Sequence, residues 1–261
     1  MNRHISRRRA LGAFGTAGLG AVLAACSRGS DDGAAGTTSS PSTTTAGGST
    51  TTAASTGSIP VELFDNATTC SLTPEMTEGP YYFDVDSIRS DIREDRDGAP
   101  LRLGVRVRDA ASCAALTNAV VDIWHCDALG IYSGFEAAST GGPGGGSGSG
   151  PSDDETYLRG AQVTNSDGIA EFVTVYPGWY RGRTVHIHAK VHLAGSTMLT
   201  TQLFFDDDFT ESVYAEEPYA SDVGRETFND GDNIFDERLL LTLSEDGDGY
   251  LGIITFDVTA D

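Results

Sequence analysis

Residues 168–193 read GIAEFVTVYPGWYRGRTVHIHAKVHL, and the fold turns on this stretch. Its two halves, Ile169 to Val175 and Thr184 to Leu193, are runs of strand length rich in β-branched residues, and Pro177-Gly178 and Gly182 stand between them. Proline cannot donate to a ladder and glycine bends freely, so the chain is expected to turn there. In the second run Val185, Ile187, Ala189 and Val191 recur every second residue, the period of a pleated strand. The same pattern continues outward in LRLGVRV (101–107), AVVDIW (119–124), TMLTTQLFF (197–205), ERLLLTL (237–243) and GYLGIITFDV (249–258). No stretch of the body keeps a helical period for three turns. These runs predict an all-β chain of β-sandwich or barrel pattern, with one folded domain over residues 59–261.

The connections carry their own chemistry. Asn165-Ser166-Asp167-Gly168, Glu245 to Gly249 and Asp230-Gly231-Asp232-Asn233 are read as turn-formers in preference to calcium loops. Gly141 to Gly150, GGPGGGSGSG, reads as a surface loop, either bordering the site mouth or a neutral insertion. Leu103 to Asp109 and Ala119 to Cys126 are expected to form one hairpin with Cys113 in its turn. At ~3.3 Å per residue, Cys126 then stands roughly 20 Å from Cys113, too far to be bridged. Cys70 with Cys113 is the expected disulfide, and Cys126 a buried free thiol.

The N-terminus reads as an address. Arg3 and Arg7-Arg8-Arg9 precede an uncharged stretch from Ala10 to Ala25, too short to span a bilayer comfortably. Ser6 to Leu11 fits a twin-arginine signal, and Leu23-Ala24-Ala25-Cys26 resembles a lipobox, with an ordinary signal peptide as the alternative. Residues 1–25 are therefore expected to be a signal peptide, and 26–58 a lipidated Cys26 followed by a disordered Ser/Thr/Gly linker. The expectation is an exported protein, lipid-anchored to the cell membrane and facing outward. The formal net charge is −21, and removing residues 1–25 takes away arginines and no acid. A body this acidic excludes nucleic-acid or anionic-bilayer binding through its surface.

The candidate chemistry sits within the opening stretch. His186 and His188, two apart on a strand, place both rings on one face with α-carbons about 6.6 Å apart, within reach of a common metal. His192 continues that face further along and reads as a supporting or structural residue. Tyr180 follows the Pro177-Gly178 bend, which is expected to project it back over the two histidines. Taken singly, His-x-His is most often a surface pair and a tyrosine most often packing.

Four ordered segments raise those odds: TPEMTEGPYYFD (73–84), NAVVDIWHCDALGIYSGF (118–135), LRGAQVTNSDGIAEFVTVYPGWYRGRTVHIHAKV (158–191) and TTQLFFDDD (200–208). Together they resemble the intradiol ring-cleavage dioxygenase family. The resemblance implies a non-haem Fe(III) held by Tyr132, Tyr180, His186 and His188, Tyr180 and not Tyr176 being the second tyrosine. Arg183 matches the family's active-site arginine, and Gln202 a polar residue near substrate. The segment Thr77 to Tyr82 resembles the stretch lining the pocket, with Tyr81 or Tyr82 either against the aromatic ring or packed in the core. The implied reaction takes a catecholic small molecule and dioxygen to a muconate-type diacid, with Tyr180 giving way to substrate. Phenolates are hard, strongly donating oxygens and favour Fe(III) over softer metals. Whether the substrate is catechol, protocatechuate or hydroxyquinol is left open, as is the oligomeric state, because the family's helical dimerisation segment has no counterpart here.

Three rivals stand beside this reading: a non-catalytic β-sandwich ligand- or metal-binding lipoprotein, an iron(II) site of two histidines and a carboxylate, and a copper or zinc site on His186, His188 and His192.

Overall fold

The protein was analysed as a computed structural model that describes residues 57–66, 68–140 and 150–260. The expected signal peptide, lipidated Cys26 and nearly all of the linker lie outside the described residues, as does 141–149. Ser58, at the linker boundary, bonds Glu171 through its hydroxyl.

The fold is a β-sandwich of two four-stranded sheets. The strands are β1 (Pro100–Asp109), β2 (Val120–Trp124), β3 (Arg159–Val163), β4 (Ile169–Val175), β5 (His186–Leu193), β6 (Ser196–Phe204), β7 (Thr242–Asp246) and β8 (Gly249–Val258). One sheet runs β4-β1-β8-β7 and the other β3-β2-β5-β6. Leu101, Leu103, Val105 and Val107 of β1 alternate inward and meet Val121, Ile123, Ile187, Ala189 and Val191 of the facing sheet. Each such side chain, fully buried, contributes about 1.5–3 kcal/mol. Besides turns of 3₁₀ helix, the helical structure is α1 (Glu136–Ser139) and α2 (Asp207–Tyr214), the latter capped by the Asp206 side chain accepting from Phe209 N.

Three sequence expectations are corrected here. β1 and β2 are not a hairpin: β1 pairs with β4 and β8, whereas β2 pairs with β3 and β5. After β1 the chain folds back only as far as Ala114 and Leu116, which bond Asp109 N and Val107 O, and then crosses to the other sheet. Both strands are buried on their inner faces, so alternation alone fitted either pairing. The run 237–243 is not one strand, since Glu237–Leu239 is a 3₁₀ turn capped by Asp236 and the strand begins at Thr242. β3 stood outside the strand runs, its Gly160 and Gln162 diluting the apolar pattern.

An arm before β1 carries the site's roof. Cys70 is bridged to Cys113, the expected pair, and Cys126 is a buried free thiol. Thr73 exchanges bonds with Asp257, Met76 N donates to Thr200 O, and Thr201 Oγ1 donates to Pro74 O. The arm thus passes from one sheet to the outer face of the other and lays Thr77 to Phe83 across it.

Candidate active site

That outer face is where the polar residues gather. Strand register sets Arg159, Trp124, His188 and Gln202 in one row across β3, β2, β5 and β6. His186 lies one row away, opposite Phe204, and Lys190 one row the other way, opposite Asp122. β5 is buried on both faces, apolar residues inward and His186, His188 and Lys190 outward, which is why its six leading residues are all buried.

Two turns bring the tyrosines over this face. Tyr132 follows a tight loop in which Asp127 Oδ1 accepts from Leu129 N and Ile131 N. Tyr180 follows the Pro177-Gly178 bend, and Gly178 N donates to Asp127 O at 2.9 Å. The two turns pack backbone against backbone. A Cβ on Gly178 would lie 2.4 Å from Ala128 O, and one on Gly130 2.2 Å from Trp179 O. Only glycine permits that approach. Tyr176 faces the core instead, its hydroxyl on Thr210 Oγ1, which separates it from Tyr180 as expected.

His186 Nε2 and His188 Nε2 stand 3.1 Å apart, and the Tyr180 hydroxyl is 3.0 Å from His186 Nε2. The Tyr132 ring meets that of Tyr180 edge-on at 5.7 Å and that of His188 at 6.2 Å. Tyr132 Oη is buried with no hydrogen bond of ordinary geometry. His186 Nδ1 lies 2.6 Å from Thr184 O, which places its hydrogen there and leaves the Nε2 lone pair facing the cluster. The His188 ring is stacked on Trp124, centroids 4.9 Å apart and planes 7° from parallel. Gly79 covers its other side, where a Cβ would lie 3.0 Å from His188 Cε1.

The electrostatics favour neutral donors. Burial, then Arg183, pulls His186 down to about 3; burial, then His186, pulls His188 down well below the usual histidine range. Both imidazoles are therefore unprotonated at neutral pH, as metal ligation requires. Burial raises both tyrosines, so their phenolates need a strong nearby cation. Among the described residues no three His, Cys, Asp or Glu side chains are grouped to hold a metal. A metal bound at this cluster would take phenol oxygens, and two imidazoles with two phenols form a hard, trivalent-preferring donor set. His192 is apart from them, beside Thr197 Oγ1 and lining another cavity.

Arg183 adjoins the cluster. Its Nη1 is 3.3 Å from His186 Nε2, its Nη2 donates to Gln202 Oε1, and its Nε donates to Asp232 Oδ2 at 2.8 Å. Asp232 also accepts from Thr184 N and Ile234 N. Burial would raise its carboxyl, yet the two N–H bonds and Arg183 hold it below the usual range. Gln202 Nε2 donates to Thr77 O, tying this network to the roof. A cavity of about 690 Å³ opens beside the cluster, lined by Thr77 to Tyr82, Gly150, Tyr180, Arg183 and Ile234. Tyr81 lies against Tyr132 at 4.7 Å and Tyr82 against Trp124 at 4.6 Å, and both line the cavity.

The six residues singled out in the sequence, Tyr132, Tyr180, Arg183, His186, His188 and Gln202, are brought together. Asp232 was read only as a turn-former, and no local signal marks it, because its partner lies 49 positions away. Lys190, which pairs with Glu78 and lies 3.5 Å from the Tyr82 ring centroid, was visible only as part of the His-x-His alternation.

A family model described as Dioxygenase matches residues 74–223. Among curated proteins, the chain is 29% identical over 136 residues to a chlorocatechol 1,2-dioxygenase of Rhodococcus opacus, covering 45% of this chain and 48% of that protein. It is 33% identical over 163 residues to a catechol 1,2-dioxygenase of Pseudomonas sp. (strain EST1001), covering 55% and 50%. The chain thus spans about half the length of the curated relatives it matches. Among solved structures, an intradiol ring-cleavage dioxygenase from Tetranychus urticae superposes with a TM-score of 0.68 at 35% identity, covering 73% of this chain and 95% of that one. The dioxygenase domain of a carbohydrate-binding fusion protein from Streptomyces sp. SirexAA-E superposes at 0.53 with 30% identity, covering 73% and 100%.

Proposed function

The chain belongs to the intradiol ring-cleavage dioxygenase family, and from that premise we propose that it cleaves a catechol-type aromatic between its two hydroxyl-bearing carbons, using dioxygen and a non-haem Fe(III) held by Tyr132, Tyr180, His186 and His188, to give a muconate-type diacid. The observation that carries this reading is the meeting at His186 Nε2 of the Tyr180 hydroxyl, 3.0 Å away, and of His188 Nε2, 3.1 Å away, with the Tyr132 ring beside them. Ferric iron in that donor set would supply the Lewis acidity and electron-accepting character that make a bound catecholate reactive toward dioxygen.

The protein's own residues do the rest. Tyr180 stands at the cavity wall and would be the tyrosine that gives way to substrate, its oxygen taking up a catechol proton. Tyr132, at 0% exposure, would hold the metal throughout. Arg183 stabilises negative charge developing on the ring, held in place by Asp232 and Gln202. Tyr81 and Pro80 wall the ring face, and Gly79 lets that wall approach His188. We propose further that the chain is exported and anchored through a lipid on Cys26, which leaves the cavity to meet catechols outside the cytoplasm.

The test is iron analysis with a visible spectrum, then oxygen uptake over a catechol panel with product identification. A tyrosinate charge-transfer band and a ring-opened diacid are expected. Tyr132→Phe and His188→Ala should each lose most of the colour and turnover, while His192→Ala keeps both. Iron-loaded protein lacking that band would overturn the proposal. Retention of a Cys26→Ala variant in the membrane fraction would overturn the anchor.

A further inference from the structure

Arg159 is a buried cation that the chemistry above leaves unused. It opens β3 in the row that continues through Trp124 to His188 and Gln202, and its residue is 1% exposed. Its Nε donates to Ser133 Oγ and its Nη2 to Ser133 O, both at 2.8 Å. Ser133 directly follows Tyr132, and its hydroxyl passes its own hydrogen to Tyr157 O. The guanidinium carbon lies 4.2 Å from the Phe83 ring centroid, at the end of the roof segment. Nη1 is buried with no hydrogen-bond partner. The other fully buried arginine among the described residues, Arg108, has the carboxylate of Asp257, and the half-buried Arg183 and Arg225 have Asp232 and Asp207. Arg159 has none at ion-pair distance among the described residues. Burial pulls it down to about 10, against which Tyr132 is the leading influence and Asp122 the next, so it is a cation at neutral pH.

A buried charge without a counterion is strongly destabilising unless something nearby compensates it. The surroundings of Arg159 hold a backbone carbonyl, a hydroxyl and aromatic faces at contact distance, with the phenol of Tyr132 and the carboxyl of Asp122 acting on it from beyond hydrogen-bond reach. We propose that Arg159 is a positioning residue for Tyr132: it clamps the adjoining Ser133 and directs a fixed positive field at the Tyr132 oxygen, weakening its electron donation to the metal. This rests on the iron-tyrosinate reading above. A positive charge that acts more strongly on the phenolate than on the metal lowers the filled donor orbital more than the empty acceptor, so it raises the charge-transfer energy. A donor made weaker in this way leaves the metal a better acceptor toward substrate, which is how Arg159 would bear on turnover without touching the substrate.

The test compares iron-loaded Arg159→Met, Arg159→Gln, Arg159→Lys and Ser133→Ala with the unaltered protein, reading the visible band and the thermal unfolding of the metal-free forms. All four should unfold at lower temperature, because each loses part of the clamp. Only the two neutral variants should shift the band to longer wavelength, while Arg159→Lys and Ser133→Ala keep it in place. A band unmoved in Arg159→Met and Arg159→Gln, or moved equally by Arg159→Lys, would assign the residue to the framework alone. Failure of both neutral variants to fold would assign it there too. Absence of the band from unaltered iron-loaded protein is a different result and would overturn the functional reading itself.

Discussion

The chemistry of single residues here depends on what each is bonded to. Arg183 carries two ties, to Asp232 and Gln202, and stands 3.3 Å from His186 Nε2, so its guanidinium is presented to the cavity in one orientation. Removing one preorganised donor of this kind costs roughly 10²–10³ in kcat, and Arg183→Met is expected to fall in that range. Asp232→Asn keeps the shape of the support but not its charge, and should cost about tenfold, as outer supports of a reactive centre do. Oxygen-uptake kinetics together with the visible spectrum will check both, since neither substitution removes a proposed iron ligand and the band should remain. An unchanged kcat in Asp232→Asn would show that Gln202 alone suffices to hold the arginine. His-x-His and the position of Tyr180 were legible from period two and the Pro-Gly bend. Asp232 was not, because a turn-forming Asp and an arginine-holding Asp look alike until the fold places a guanidinium beside one of them.

At the scale of elements, the site depends on two turns and one arm. Gly178 and Gly130 let the tyrosine-bearing turns touch through their backbones, which sets the Tyr132–Tyr180 ring separation of 5.7 Å. Gly178→Ala puts a methyl into Ala128 O and is expected to destabilise by about 3 kcal/mol through overpacking. The accompanying loss of iron stoichiometry should exceed that of a core substitution of equal destabilisation, as denaturant titration and metal analysis can show. The arm is fastened by the Cys70–Cys113 bridge, which closes a segment of 43 residues. Replacing both cysteines by serine should cost ~2–4 kcal/mol. Because the arm also lays Thr77 to Tyr82 over the cavity, KM for catechol should rise more than kcat falls. Equal KM values would mean that Thr73, Pro74 and Met76 hold the arm unaided. The strand runs were legible in the sequence; their pairing was not, since β1 and β2 follow one another in the chain and lie in different sheets.

For the molecule as a whole, buried histidines set the response to acid. Burial lowers His125 to about 4 and His186 to about 3, and holds His188 well below the ordinary value of 6.5. Above pH 6.5 these groups are neutral both folded and unfolded. Below it the unfolded chain binds protons that the folded chain does not, so stability is lost progressively until the folded groups titrate, and His125 alone contributes roughly 3 kcal/mol of that loss. Asp122, raised from 3.8 to about 6 chiefly by burial, acts in the opposite sense across the same window. Three histidines outweigh it. The metal-free protein is therefore expected to unfold at steadily lower temperature from pH 6.5 to 4, and His125→Gln to flatten that slope. A pH-independent midpoint in calorimetry across this window would contradict it.

From the sequence by itself come the strand periodicity, the acidic balance and the residue types able to hold a trivalent metal, because each depends on neighbours within a few positions or on composition. The tertiary structure alone decided that the site lies on the outer face of one sheet, that Asp232 holds Arg183, and that Arg159, Trp124, His188 and Gln202 form one row. Those facts follow from strand order, register and long loop closures. Such pairings are selected by how two sheets bury their apolar faces together, and many pairings share the same alternating pattern along the chain.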